Sequence, residues 1–251
     1  MRVQLKVLYV LVFMALFSSI CLEKIAHAGL VMQQEDYQQG SLNKQKVTIY
    51  VQGNKFKQVE NGGAYSPAVI FDLNSGNIMF VNEEKKLYII LNRDEYLKYI
   101  ASVMSQNKTD KDVGGKVSLK KTNETSKIAG YNTKKYEIYE NGKLQSEYWV
   151  SKEPGFADEL DLNKMSKLMN DVKRISQNIG GSASISDDEY KIFQDIYEDG
   201  YPMKTVYHSP DSNVVFVEEI TSVKKENIPP SEFEPPAGYE KITYQDILKQ
   251  K

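Results

Sequence analysis

The side chains of this sequence that could do chemistry are a histidine, three groups of carboxylates, paired lysines and a cysteine. His208 could act as a general base, but that role needs a nucleophile on one ring nitrogen and an orienting acid on the other. It ends a strand-like run just before Ser209-Pro210, which reads as a surface histidine at a strand end. No G-x-S-x-G elbow, H-E-x-x-H helix or phosphate-binding glycine loop accompanies it. Carboxylates gather at Asp158-Glu159-Asp161, Asp187-Asp188-Glu189 and Glu218-Glu219. The first two groups stand where helices begin, and negative charge there complements the helix dipole. None has the D-x-D-x-D-G spacing of a calcium loop. The carboxylate pair of a glycosidase is a spatial arrangement, so the order of residues leaves a hydrolase open. Lys120-Lys121, Lys134-Lys135 and Lys224-Lys225 lie among acidic neighbours and read as solvated strand faces or protected edges. No metal site and no cofactor is implied.

Charge and composition narrow the classes further. The 251 residues carry 32 Lys+Arg against 34 Asp+Glu, a net charge of -2, without the basic excess that nucleic acid requires. With 17 Tyr and 9 Phe the chain is too aromatic to be disordered. Its start has a separate logic. Arg2 and Lys6 precede the apolar or small run Val7–Leu22, and Ala26-His27-Ala28 is the small-x-small pattern of a signal-peptidase site. Residues 1–28 are therefore expected to be a signal peptide cleaved after Ala28. A retained anchor is the rival, but the run is shorter than the roughly 20 residues of a span. Lipid modification of Cys21 is a third option, although bulky Ile20 stands where a bacterial lipobox needs Gly, Ala or Ser. The expected product starts at Gly29 and is periplasmic, with no integral membrane span. Residues 29–251 then hold no Cys, one His and a net charge of -4. A thiol nucleophile and a disulfide framework are both excluded, and the core alone must hold the fold.

The elements that would position these groups are mostly strands. Val47–Val51, Lys55–Glu60, Ala68–Leu73, Asn77–Asn82 and Lys86–Leu91 are separated by polar turns such as Gly53-Asn54. Val117–Asn123, Lys134–Glu140 and Leu144–Val150 repeat the style, with Asn141-Gly142 a type I′ signal. Met203–His208 and Val214–Val223 form a further pair. Connections this short favour antiparallel pairing. Ile89-Ile90-Leu91 and Val214–Val217 are apolar on both faces and so require cover on both sides or a greasy, curved interior. Three helices interrupt the strands. The first follows a capping box, Asn92 to Glu95, and carries Tyr96, Leu97, Ile100, Val103 and Met104. The second presents Leu160, Leu162, Met165, Leu168, Met169, Val172, Ile175 and Ile179 as one stripe. The third opens on a box from Ser186 to Glu189 and ends at Gly200. One domain, 29–251, accommodates all of this.

In sequence order, VTIYVQGNKFK (Val47–Lys57), Ile70–Tyr88, IAGYNTKKYEI (Ile128–Ile138), EYWV (Glu147–Val150), GYPMK (Gly200–Lys204) and Ile228–Ile242 carry a resemblance. Phe233–Tyr239, FEPPAGY, is the most telling piece. Together they make the chain resemble a largely uncharacterised family of exported bacterial proteins related to the outer-membrane lipoprotein carriers, the LolA/LolB-like proteins. The resemblance implies an α+β fold: a strongly curved antiparallel β-sheet, an incomplete barrel, with helices packed on its concave face. In the carriers the space between sheet and helices accepts acyl chains. None of the carriers' functional polar residues maps onto this sequence, so lipoprotein shuttling is not implied, and no catalytic residue is transferred.

The expected function is that of a non-enzymatic binder of an apolar or amphiphilic, lipid-like ligand. Leu97, Met104, Leu162, Met165, Met169 and Val172 are the candidates to line its cavity. Methionine is flexible and polarizable and suits either an adaptable site or an irregular core. An envelope protein-interaction or structural module with a filled core is the alternative, and an unrecognised hydrolase is a third. The leader can be tested directly. N-terminal sequencing of exported protein should begin at Gly29; a product beginning at Met1, or a lipid on Cys21, would overturn the assignment.

Overall fold

The structure, a computed structural model, describes residues 28–61, 68–106, 116–179, 187–209 and 212–249. Residues 1–27 of the expected leader and Ser186, first residue of the third capping box, lie outside these residues. No described helix is long and apolar enough to cross a membrane.

Strands β1 (Gly29–Gln38), β2 (Gln45–Gln52), β3 (Lys55–Asn61), β4 (Ala68–Asp72), β5 (Asn77–Asn82) and β6 (Leu87–Leu91) form one antiparallel meander. A second comprises β7 (Val117–Ile128), β8 (Tyr131–Glu140), β9 (Lys143–Ser151), β10 (Tyr201–His208) and β11 (Val215–Glu226). The turn signals hold. Gly53-Asn54 and Asn141-Gly142 each place both residues at positive φ, which only Gly and Asn adopt cheaply, as a type I′ turn requires. The junction between the meanders was not expected from sequence. β1 pairs with β2 on one edge and with β11 on the other, which makes a single curved, unclosed sheet of twelve strands. β1 escapes sequence reading because its apolar run, Leu30-Val31-Met32, is short and gives way to the polar Gln33–Gln38. The twelfth strand, β12 (Glu240–Lys241), pairs with β6 and is parallel to it, the one departure from the expected antiparallel order.

Register shifts at Gln33/Gln34, Pro202/Lys204, Lys121/Thr125 and Ile138/Tyr139 all fall at β1 or in the second meander. Each adds local twist and bends its strand, so curvature is concentrated there. Pro202 sits at such a shift, where the N–H it lacks is not needed by the ladder.

The two faces carry different covers. Helices α1 (Arg93–Gln106), α2 (Phe156–Glu159), α3 (Leu162–Ile179) and α4 (Asp187–Glu198) lie on the concave face. There Tyr96 meets Phe71 and Phe80, Phe156 stacks on Tyr201, and Ile192 and Ile196 bury against Tyr136, Ile138, Tyr148 and Val150. The opposite face of the first meander is covered by the C-terminal segment. Ile228, Phe233 of the 3-10 turn Pro230–Phe233, and Tyr239 pack against Val31, Ile70, Met79 and Val81. A short helix, α5 (Tyr244–Lys249), follows. This explains the two-faced strand: Ile89 and Leu91 face the helices, while Ile90 meets the C-terminal cover. The run at β11 differs, because Val217 is buried but Phe216 is 51% exposed and has no cover.

Local signals set the helix starts. Glu95 accepts from Asn92 N–H at 3.0 Å while Asn92 Oδ1 accepts from Glu95 N–H at 3.0 Å, so the first capping box forms. The stripe expected from Leu160 onward starts later: Leu160 is the extended residue that ends α2, and α3 begins at Leu162. Asp161 caps the longer one, α3, its Oδ1 accepting from the N–H groups of Asn163 and Lys164. Asn54 in the β2–β3 turn holds this junction. Its N–H donates to Glu159 O at 2.8 Å, and its Oδ1 accepts from Asp161 N–H at 2.6 Å.

Beyond the C-terminal cover, the convex face of the second meander is charged. Five of the six paired lysines are exposed, as the sequence suggested, and Lys135 is the exception. Lys135, only 11% exposed, donates to Glu147 at 2.7 Å and to Glu137 at 3.1 Å, with its ammonium over the Trp149 ring. Register alternation aligns these groups from neighbouring strands, and His208 Nε2 completes the row at 2.8 Å from Glu147. The Lys120 ammonium, aided by Lys135 and Tyr139 against the opposing effect of burial, holds Glu137 down at about 2.

Both the charged row and the helix cap have measurable consequences. An unfolded glutamate titrates near 4.5, so the depressed folded value makes the Glu137 contribution complete above that pH and lost as pH falls toward 2. Denaturation midpoints should therefore fall mainly below about pH 5, and Glu137→Gln should flatten part of that fall. Asp161→Ala should destabilise by about 1 kcal/mol in denaturant titration through loss of the cap, and Asp161→Asn should cost much less.

Candidate ligand cleft

Between α2, α3 and α4, the concave face leaves a cleft of about 260 Å³. Phe56 of β3 and Tyr201 of β10 reach it from the sheet. Phe156 lies stacked on Tyr201 with ring centroids 4.3 Å apart, and Leu160 is fully buried beside it. From α3 come Leu162, Asn163 and Met165, and from α4 Tyr190, Phe193, Gln194, Tyr197 and Glu198. Helical geometry explains the α4 contribution. Ile192 and Ile196, four apart, point into the sheet, while Tyr190, Phe193 and Tyr197 occupy the adjoining stripe and turn toward the cleft. The walls are mainly carbon with a few hydroxyl and amide tips, the usual make-up of small-molecule sites.

A second compartment of about 120 Å³ shares Phe193, Tyr197 and Tyr201 with the first. Tyr148, Tyr207, Thr205 and Glu218 add its polar wall. Tyr207 Oη donates to Glu218 Oε2 across a long 3.4 Å. Burial pushes the Glu218 carboxyl above its ordinary range, the Asp36 carboxylate on β1 pushes it further, and the Tyr207 hydroxyl partly offsets both. Burial likewise raises Tyr148, Tyr201 and Tyr207, which remain neutral phenols. A third cleft, about 280 Å³, opens on the far side of α4 against β7–β9, with Val117, Ile138, Gln145 and Glu189 in its lining. Phe193 borders all three spaces.

Of the residues singled out by sequence, Leu162 and Met165 line the main cleft. Leu97 and Val172 are half-buried on α1 and α3 and do not line it. The side chains of Met104 and Met169 lie outside the described residues. Half of the lining is aromatic instead, and for three of those rings the signal was present in the Tyr190, Phe193 and Tyr197 spacing. Phe56, Phe156 and Tyr201 carried no such signal, because they meet only through tertiary packing. His208 stands on the opposite face, bound to Glu147, and none of these clefts includes it. Glu218 and Glu219 are split by strand alternation: Glu218 enters the tyrosine compartment, while Glu219 accepts from Tyr37 and Lys204 on the convex side. Among the described residues no three His, Cys, Asp or Glu side chains converge as metal ligands.

Comparison with known proteins places the chain in a family. No curated protein matches it. Similar solved structures include an uncharacterized conserved protein from Thermus thermophilus, 8% identical, covering 88% of this chain and 94% of that one with a TM-score of 0.45. The MucA/MucB complex of Pseudomonas aeruginosa contains a chain 9% identical, with coverage of 87% and 59% and a TM-score of 0.40. A putative outer membrane lipoprotein-sorting protein domain from Vibrio parahaemolyticus is 7% identical, with coverage of 84% and 91% and a TM-score of 0.35. A family model matches residues 31–239, from β1 through the C-terminal cover, and the chain belongs to that family, the domain of unknown function DUF4412.

Proposed function

We propose that this chain is a non-enzymatic binding protein of the periplasm that takes an apolar or amphiphilic, lipid-like ligand in the cleft between sheet and helices. In this reading residues 1–28 are removed as a signal peptide and residues 29–251 act as one domain. The observation that carries it is the cleft itself, with Phe56, Phe156, Leu160, Leu162, Met165 and Phe193 around one space of about 260 Å³. Unfilled volume lined by such side chains forgoes dispersion contacts that a ligand restores. The volume lies just below the range of drug-sized pockets and suits a short acyl chain or part of a longer one. The polar groups lining it are the Tyr190, Tyr197 and Tyr201 phenols, the Asn163 and Gln194 amides and the Glu198 carboxylate, without an activated nucleophile. The one described histidine–carboxylate pair, His208–Glu147, is on the other face and shares its carboxylate with Lys135.

Titration with straight-chain alcohols of increasing length tests the reading. Each added CH₂ moved from water contributes about 0.8 kcal/mol, so affinity should rise about fourfold per methylene until the cleft is full. Met165→Glu places a charge where the chain would lie, and should weaken binding by more than about tenfold while circular dichroism stays native. Met165 is only half-buried, so the variant should fold. A folded wild type that ignores chains of every length would overturn the reading in favour of an envelope protein-interaction module.

A further inference from the structure

The compartment beside the apolar cleft has a composition that selects a ligand class. Four tyrosines, Tyr148, Tyr197, Tyr201 and Tyr207, line it together with the Glu218 carboxylate. No Lys, Arg or His lines it or the adjoining cleft. The β1–β11 register sets a second carboxylate, Asp36, directly opposite Glu218. Among the described residues no basic side chain forms an ion pair with either carboxylate. Several other part-buried carboxylates, Glu137, Glu147, Glu219 and Asp199, do have lysine partners. Aromatic walls closed by a carboxylate favour an organic cation, through the ring quadrupoles and direct charge attraction. They repel sulfates, phosphates and carboxylates. The space, about 120 Å³, has room for a small headgroup, and its shared walls with the apolar cleft let one molecule occupy both.

We propose that this compartment receives the ammonium head of a cationic amphiphile whose hydrocarbon tail lies in the apolar cleft. The assignment rests on the apolar-ligand reading above and adds the headgroup. Burial and the facing Asp36 both raise the cost of keeping Glu218 ionised, and a bound cation would relieve that cost.

Calorimetric titration of the mature chain with decyltrimethylammonium, decanol and decyl sulfate, each below its micelle concentration, separates the two claims. The ammonium compound should bind at least about tenfold tighter than the alcohol, with the sulfate weakest. Glu218→Gln should bring the ammonium-to-alcohol ratio toward one. The wild-type ranking does not depend on how that variant folds. Equal binding of all three, a preference for the sulfate, or a ratio unmoved by Glu218→Gln would overturn the headgroup assignment and leave the apolar cleft standing. Binding of none would overturn both.

Discussion

The pairing of β1 with β11 is the contact on which the rest of the molecule depends. It joins Gly29–Gln38 to Phe216–Glu226, so nearly the whole described chain lies between the two partners. Every other neighbouring pair in the two meanders is made by strands consecutive in the chain, and most of those are linked by short turns. Without β1–β11 there would be two separate meanders, each with an open edge, and neither with a complete core. The pairing unites Leu30, Met32, Val47, Ile49 and Val51 with Met203 and Ile220 in one buried cluster, over which Phe156 and Leu160 close. Closing so long a loop costs entropy that grows only slowly with length, and this cluster offsets it.

Two kinds of cover then complete the sheet. On the concave side the α2–α3 junction is anchored where the Gly53-Asn54 turn bonds across to Glu159 and Asp161. The same asparagine also accepts from Leu73 N–H, so one turn residue ties the β2–β3 hairpin, the end of β4 and the start of α3 together. On the convex side the C-terminal segment protects the first meander and seals its edge by adding β12 to β6. The second meander has no such lid, and its convex face is charged instead. Lys135, Glu137, Glu147 and His208 satisfy one another there, which keeps partly buried charges paired.

The cleft is a consequence of how α4 is held. Its buried stripe, Ile192 and Ile196, belongs to β8 and β9 of the second meander, whereas α3 leans toward the first through the Arg93–Asp171 ion pair with α1. The two helices therefore follow different parts of one curved sheet and leave space between them. Phe56, Phe156, Phe193 and Tyr201 line that space.

Much of this protein was legible in its residues, and the boundary of legibility has a physical cause. Alternation and turn chemistry located ten of the strands, the Asn92–Glu95 box located α1, and the apolar stripes located α3 and α4, because each signal is local and expressed within a few residues. The two-faced strand at Ile89–Leu91 even required a second cover before any was visible. Strand β1 was not legible, since six of its residues are polar or charged and its stability comes from neighbours distant in sequence. Nor was the lining of the cleft: a methionine stripe pointed to α3, but Met165 meets Phe56, Phe156 and Tyr201 only after the sheet bends. The adjacent carboxylates Glu218-Glu219 could be seen in the sequence, and strand geometry sends them to opposite faces. Which face would be lined with tyrosines and which with lysines was decided by the register of β10 and β11 against their partners. Such long-range register, and the curvature from its bulges, depends on packing summed over the whole sheet rather than on any local run of residues.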